Sequence, residues 1–285
     1  MSIITNLSNT VDEKNKKVNI KFLAYNCYGF KSNSNFIKNL IQNYDICFFS
    51  EHWLSDEEEI LFNNLSNHHK FYFKSSYSKT DTKRRGRPFG GICWSVSKKL
   101  LVERFEFFDI EVSSLAIRLN NLVVTFHGVW LPYDDKRANR LSKYKSNFSL
   151  LKSQIKEYHN SPQIIFGDFN ASTNRTPSTR FDKLLIDFID QNGLINTLDI
   201  KKFNKGGFTY KKGKYESTID HIIINQKATE LLQTAEIIND KKDLSDHRPV
   251  AGMLSLDIDD SFKKIEEDKN EEKFFHFFDW KNPHF

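Results

Sequence analysis

Short apolar runs, most of them too brief for a helix, recur through residues 18–256, and polar residues stand at the ends of several. Val18–Tyr25 (VNIKFLAY) alternates, with Ile20, Phe22 and Ala24 on one face, which predicts a strand. Ile46–Ser50 (ICFFS) has the continuous apolar character of a buried strand. Lys70–Tyr77, Gly91–Val96, Leu115–Leu119, Leu122–Trp130, Gln163–Phe166 and Val250–Leu256 also read as strands. Phe208–Tyr210 and Tyr215–Asn225 read as two more, around the turn Lys211-Lys212-Gly213-Lys214. Helical spacing is rarer. Phe36, Ile37, Leu40 and Ile41 follow a Ser34 cap, and Ser55-Asp56-Glu57-Glu58 is a capping box opening a helix through Leu65. Leu141, Tyr144, Phe148, Leu151, Ile155 and Tyr158 recur at steps of three and four. Phe181–Ile189 forms a further helix, from near Ser178 to Gly193. Many strands and few helices without regular alternation do not suit a doubly wound parallel sheet. They suit two packed sheets with helices outside.

Residues 1–17 are polar and 257–285 form a charged linker followed by an aromatic cluster, which leaves 18–256 as the folded domain. The 285 residues carry a net charge of +5. Nine acids and five lysines from Asp257 onward contribute −4, so residues 1–256 carry +9. A basic body of this kind suits a polyanionic partner. The 26 Phe, 10 Tyr and 4 Trp exclude whole-chain disorder. No apolar run is long enough for a membrane span, and the N-terminus lacks the apolar centre of a signal peptide. Cys27, Cys47 and Cys93 are too few and too widely spaced for a disulfide framework or a CxxC zinc site. These features predict an intracellular protein, nuclear or cytoplasmic, with no membrane partner.

Polar residues at strand ends carry the functional signal. Asn26 ends the first strand and Glu51 the second. Asp168 and Asn170 follow QIIF two residues apart, which by period-two alternation places them on one face. Asp220 lies inside STIDHIIIN, and Asp246 and His247 precede the last strand. Taken singly, each has an ordinary reading as a turn, surface or loop residue. Together they make a polar cluster that a plain core would not tolerate.

Five blocks carry a resemblance: YNCYG (Tyr25–Gly29), SEHWL (Ser50–Leu54), GDFN (Gly167–Asn170), STIDHI (Ser217–Ile222) and LSDHRPV (Leu244–Val250). In this order they resemble the endonuclease/exonuclease/phosphatase family. GVWLPYDD at Gly128–Asp135, IDHIIIN at Ile219–Asn225 and FFDWKNPHF at Phe277–Phe285 are similar to the N-terminal endonuclease of LINE-type, non-LTR retrotransposons. The resemblance implies a DNase I-like, four-layer α/β sandwich: two packed, mostly antiparallel sheets flanked by helices. It also implies magnesium-dependent phosphodiester cleavage, with manganese as an alternative ion. Because substrate and site are both anionic, a hard cation with oxygen ligands belongs between them. Glu51 is the expected principal ligand, with Asp246 and Asn26 beside it. Asp168 takes a proton from the attacking water, and Asn170 bonds the nucleophile or a phosphate oxygen. His247, oriented by Asp220, binds the phosphate oxygen in the transition state. Ser217 opens the Asp220 block and is carried as a further candidate.

Two departures qualify the resemblance. Trp130 stands where many relatives carry Tyr or His, and indole donates one hydrogen bond but cannot ionise. Tyr28 replaces an acidic ligand of DNA-repair relatives, which counts against an abasic-site nuclease. His127, on the opposite strand face from Trp130, reads as structural.

Two basic segments complete the expectation. Arg84, Arg85 and Arg87 lie in one loop, and Lys211, Lys212 and Lys214 tip the hairpin before Asp220. Both are expected to grip DNA phosphates. The leading function is a DNA endonuclease that nicks target DNA to prime reverse transcription, with a reverse-transcriptase domain downstream. The rivals are an abasic-site repair nuclease or other phosphodiesterase of the same fold, and a catalytically dead DNA-binding module.

Overall fold

Two six-stranded sheets face each other, and their order explains why distant blocks of sequence meet. The computed structural model describes residues 17–77, 89–119, 121–200, 202–203 and 207–257. Arg84, Arg85 and Arg87, together with the N-terminal and tail segments, lie outside these residues. The first sheet runs β13 (Leu232–Ile237), β14 (Val250–Asp257), β1 (Lys17–Asn26), β2 (Ile46–Ser50), β4 (Ile92–Ser97), β3 (His69–Lys74). The second runs β5 (Leu101–Phe107), β6 (Val112–Leu119), β7 (Leu122–Trp130), β8 (Gln163–Asp168), β12 (Asp220–Ile224), β9 (Ile195–Asn196). A small hairpin, β10 (Tyr210–Lys212) and β11 (Tyr215–Ser217), stands apart from both. β1 with β2 and β7 with β8 pair in parallel, whereas β2–β4, β3–β4, β5–β6, β6–β7 and β8–β12 are antiparallel.

Alternation in β1 turns Ile20, Phe22 and Ala24 inward, all at most 2% exposed. Phe22 meets Phe126 and Phe166 of the other sheet at 5.4 and 5.7 Å between ring centroids. Phe48 packs on Trp94 at 5.1 Å, and the Trp94 indole donates to Ser113 Oγ at 2.8 Å, so the buried N–H is satisfied. On the outer face of the first sheet lie α1 (Phe30–Asn43) and α2 (Ile60–Asn63), which bury Phe36, Ile37, Leu40, Ile41 and Phe62. On the outer face of the second lie α3 (Ala138–Glu157) and α4 (Arg180–Gln191), which bury Tyr144, Phe148, Leu151, Phe181, Leu185 and Phe188. A short helix, α5 (Gln226–Thr229), follows β12. The result is a four-layer DNase I-like sandwich.

At Gly128 the facing sheet leaves no room for a side chain. A Cβ there would lie 2.5 Å from Phe48 Cδ2 and 2.6 Å from Trp94 Cζ2. Gly128→Ala is expected to cost about 1–3 kcal/mol by overpacking, read as a lower midpoint in thermal or urea unfolding.

Several local expectations need correction. α1 starts at Phe30 behind Gly29, so Ser34 is inside the helix rather than its cap. The Ser55–Glu58 capping box is present but opens a 3₁₀ turn before the four-residue α2. Residues 215–225 are not one strand. Ile219 and Asp220 both donate backbone N–H bonds to Thr209 Oγ1, at 2.9 and 3.0 Å, where the chain leaves β11 and enters β12 of the second sheet. Among the described residues no helix is long and apolar enough to cross a membrane. Cys27, Cys47 and Cys93 are buried and free.

Candidate active site

Register brings the strand ends together. Asn26 pairs with Ser50 across parallel β1 and β2, which sets it beside the turn carrying Glu51. In the other sheet Asp168 pairs with Trp130 on one side and Asp220 on the other. The segment before β14 delivers Asp246 and His247 to the same rim. Tyr210 bridges to His247 through its backbone, and Lys211 N donates to Asp246 O at 2.8 Å, tying the hairpin to this segment.

Asn26 Nδ2 joins the two halves of the site. It donates to Glu51 Oε1 and Asp168 Oδ2, each at 3.0 Å, and lies 3.4 Å from His247 Nε2. Asn26 Oδ1 accepts from Tyr28 N at 3.3 Å. The amide bridges the two carboxylates through Nδ2, with Oδ1 turned to Tyr28 N. His247 Nδ1 lies 2.9 Å from Asp220 Oδ2 and 3.2 Å from Oδ1. Asn170 donates its backbone N–H to Asp168 Oδ1 at 2.8 Å and its amide to Asp168 Oδ2 at 3.2 Å and Leu131 O at 2.8 Å. Strand alternation does not unite these two residues, because Asn170 has left the strand with φ of 50°. A local side-chain turn does. Trp130 Nε1 donates to Glu51 Oε1 at 3.2 Å, so the unusual indole holds that carboxylate.

Asp168, Asp220 and His247 are 1%, 2% and 6% exposed, which makes their charges interact strongly. Burial pushes the Asp168 carboxyl well up, and the Asp220 charge pushes it further, against the pull of His247 and Asn26. Burial opposes protonation of His247, but the Asp220 and Asp168 charges outweigh it and raise the imidazole well above its usual value. The Asp246 carboxyl is also raised, first by burial, with the Glu51 charge adding to it and His247 opposing. His127 is different: Ser114 Oγ and Gln163 Oε1 hold it at 2.6 and 3.2 Å, and burial lowers it to about 4, in keeping with a structural role.

These groups open into a cleft of about 570 Å³. Among the described residues five non-glycines have positive φ, and four of them, Tyr28, Glu51, Lys136 and Asn170, line this cleft. Such backbone is unfavourable unless the surroundings enforce it, and it gathers where side chains must be aimed.

The donor set suits a hard cation. Asp246 Oδ1 is buried without a hydrogen-bond partner, and Glu51 faces the cleft beside it. Two carboxylates of this kind are what magnesium or calcium binds. Asp168, Asp220 and His247 also offer ligand atoms within 4.8 Å of one another, but both Asp220 oxygens are engaged by His247.

Other sequence candidates divide. Lys212 lines the cleft, and Lys214 is exposed at the hairpin turn. Lys211 is paired with Glu216 at 2.7 Å inside the hairpin. Ser217 Oγ accepts from Arg175 Nη2 at 2.9 Å. Sequence reasoning misses three residues. Ser245 Oγ donates to Asn26 O and accepts from His247 N, linking the two at 2.8 and 3.0 Å. Tyr210 places its ring 4.9 Å from the His247 ring. Arg175 reaches the cleft with its guanidinium held by buried Asp182 at 3.3 Å. Ser245 lies within a recognised block, but nothing in the sequence distinguishes the other two.

A family model described as "Endonuclease/Exonuclease/phosphatase family" matches residues 23–247. No curated protein matches the sequence. Among solved structures the chain is similar to the catalytic domain of Xenopus laevis APE2, with TM-score 0.65 and 18% identity over 84% of this chain and 93% of that one. It is similar to the endonuclease domain of TRAS1, a telomere-specific non-LTR retrotransposon, with TM-score 0.62 and 14% identity over 83% and 98%. It is also similar to the 3′ phosphatase NExo from Neisseria bound to product DNA hairpin, with TM-score 0.64 and 13% identity over 82% and 99%. At these identities the likeness is one of fold.

Proposed function

The chain belongs to the endonuclease/exonuclease/phosphatase family, a hydrolase acting on phosphodiester bonds, and on that premise we propose that it is a magnesium-dependent DNA endonuclease that nicks target DNA for retrotransposition. The observation that carries the reading is the one cluster in which Asn26 ties Glu51 to buried Asp168 while Asp220 grips His247. The likeness to the TRAS1 endonuclease fold and the sequence blocks support the retrotransposon role, in which a reverse transcriptase extends the nicked end.

Glu51 and Asp246 are the residues that would hold the divalent ion, of the kind this family generally uses. Bound there, it supplies Lewis-acid polarisation of the phosphoryl oxygen and offsets charge in the transition state. Asp168, with its raised proton affinity, accepts the proton of the attacking water. Asn170 positions that water or a phosphate oxygen. His247, kept cationic by Asp220, donates to a non-bridging oxygen as negative charge builds there.

The His247–Asp220 pair sets a pH dependence. The Asp220 charge raises the His247 proton affinity, whereas burial lowers it. Asp220→Asn removes the raising charge and leaves the burial, so imidazolium is lost at lower pH. The alkaline limb of the pH–rate profile is expected to move toward acid, with the largest loss above neutral pH. An unmoved limb would separate His247 ionisation from catalysis.

The hairpin lysines are expected to act on binding. Replacing Lys212 and Lys214 by Ala should flatten the log–log salt dependence of duplex affinity by about 0.9 for each phosphate no longer neutralised. Salt-titrated filter binding measures this, and an unchanged slope would leave both lysines without a phosphate contact.

The overall reading is tested by offering supercoiled plasmid and an abasic duplex side by side in magnesium. Nicking of intact plasmid is expected. Turnover confined to the abasic duplex would assign repair instead, and salt-sensitive binding without turnover would assign a dead binding module.

A further inference from the structure

Among the described residues seven large hydrophobic side chains stand exposed, and four of them, Tyr28, Phe89, Tyr133 and Tyr215, line the cleft at 41%, 58%, 56% and 52% exposure. Single exposed apolar residues are ordinary, but four aromatics around one polar floor are not. They come from separate walls. Tyr28 follows β1, with φ of 45° and its ring against Trp53 at 4.5 Å. Phe89 precedes β4, and Tyr133 lies on the loop before α3 under the Arg140 guanidinium at 5.2 Å. Tyr215 stands on the hairpin, 6.2 Å from the Tyr210 ring. Lys136, Arg140 and Lys212 line the same cleft, with Lys136 3.5 Å from Asp134 and Arg140 3.2 Å from Asp135.

A ligand complementary to this lining alternates flat apolar faces with anions. A single nucleic-acid strand does so, because its bases are free to leave their neighbours. A perfect duplex does not, because its base faces are spent on their own stack and only groove edges and phosphates are offered. We propose that the cleft takes single-stranded or locally unpaired DNA, with nucleotides flanking the scissile phosphate stacked on Tyr133, Phe89 and Tyr215. The inference rests on the DNA-nuclease reading above and narrows its substrate to strands whose bases can unstack.

The test uses the full chain in magnesium and one labelled sequence in three forms: single strand, perfect duplex, and duplex with a central unpaired bubble. The single strand and the bubble are expected to be cut with kcat/KM at least about tenfold above the duplex. The double variant Phe89→Ala with Tyr133→Ala should lose roughly 30-fold or more on the single strand, mainly through KM, and the preference should collapse. Trp at both positions should restore it, whereas Leu should not, because stacking needs a flat π face rather than apolar area. Equal or faster cutting of perfect duplex, or a preference unchanged in the double variant, overturns the inference while the endonuclease reading stands. Hydrolysis of bis(p-nitrophenyl) phosphate with no cutting of any DNA form overturns both.

Discussion

Asp168→Asn is expected to slow DNA cutting by about 10²- to 10⁴-fold, the range lost with a positioned general base, while DNA affinity stays near that of the unmodified protein. The substitution preserves shape, and the site is buried, so the loss has a specific origin. Asp168 accepts three hydrogen bonds, from Asn26 Nδ2, Asn170 N and Asn170 Nδ2. An amide can accept some of these but cannot take a proton. It also places an N–H₂ group against donors, a mismatch of about 1 kcal/mol, small beside the catalytic loss. Offsetting it, a carboxylate held in low dielectric is replaced by a neutral group. Retained thermal stability with lost turnover is therefore the expected pattern, and single-turnover kinetics beside equilibrium binding would reveal it. Turnover within a few-fold of the original would remove Asp168 from the proton-transfer role.

Glu51→Gln should be comparably damaging for another reason. Glu51 Oε1 is fixed by Asn26 Nδ2 and Trp130 Nε1, which orients the carboxylate toward the cleft. Gln keeps the volume and loses the charge that a hard cation requires. Outer partners of metal sites already contribute 10- to 100-fold in metal affinity, and a direct ligand should contribute at least as much. The magnesium concentration for half-maximal nicking is expected to rise by that factor, with little cutting left at limiting magnesium. An unchanged magnesium dependence would show that Glu51 is not a principal ligand.

The architecture is largely legible in the sequence because the inner faces of the central strands are written in alternation, as at Ile20, Phe22 and Ala24. What the sequence hides lies at edges. β5 and β13 are edge strands and both carry register irregularities, between Val102 and Arg104 and between Leu232 and Thr234. An edge strand with a bulge loses period two, and the pattern that identifies a strand goes with it. The apparent single strand 215–225 hides a change of sheet, because Thr209, distant from the break in sequence, receives the two amides there. The site shows the same division. Asp168, Asp220 and His247 are readable from their blocks and strand ends, and pairing of β8 with β12 sets the two acids side by side. The orientation of Asn26 is not readable, since which end of an amide faces two carboxylates is decided by groups from four separate segments. Trp130 looks like a defect against the family pattern, yet its indole bonds Glu51. Lys211 resembles its neighbours Lys212 and Lys214 in sequence, but the hairpin register sets Glu216 opposite it.

On this reading, groups from both sheets act as one metal-dependent hydrolytic unit. Magnesium-driven conversion of supercoiled plasmid to open circle, compared among the unmodified protein, Asp168→Asn, His247→Ala and the double variant at saturating DNA, tests it most directly. Residues that act together are non-additive, so the double variant should lose about as much as the more damaged single variant. Losses that multiply, or a double variant that nicks at close to the unmodified rate, would contradict a single site.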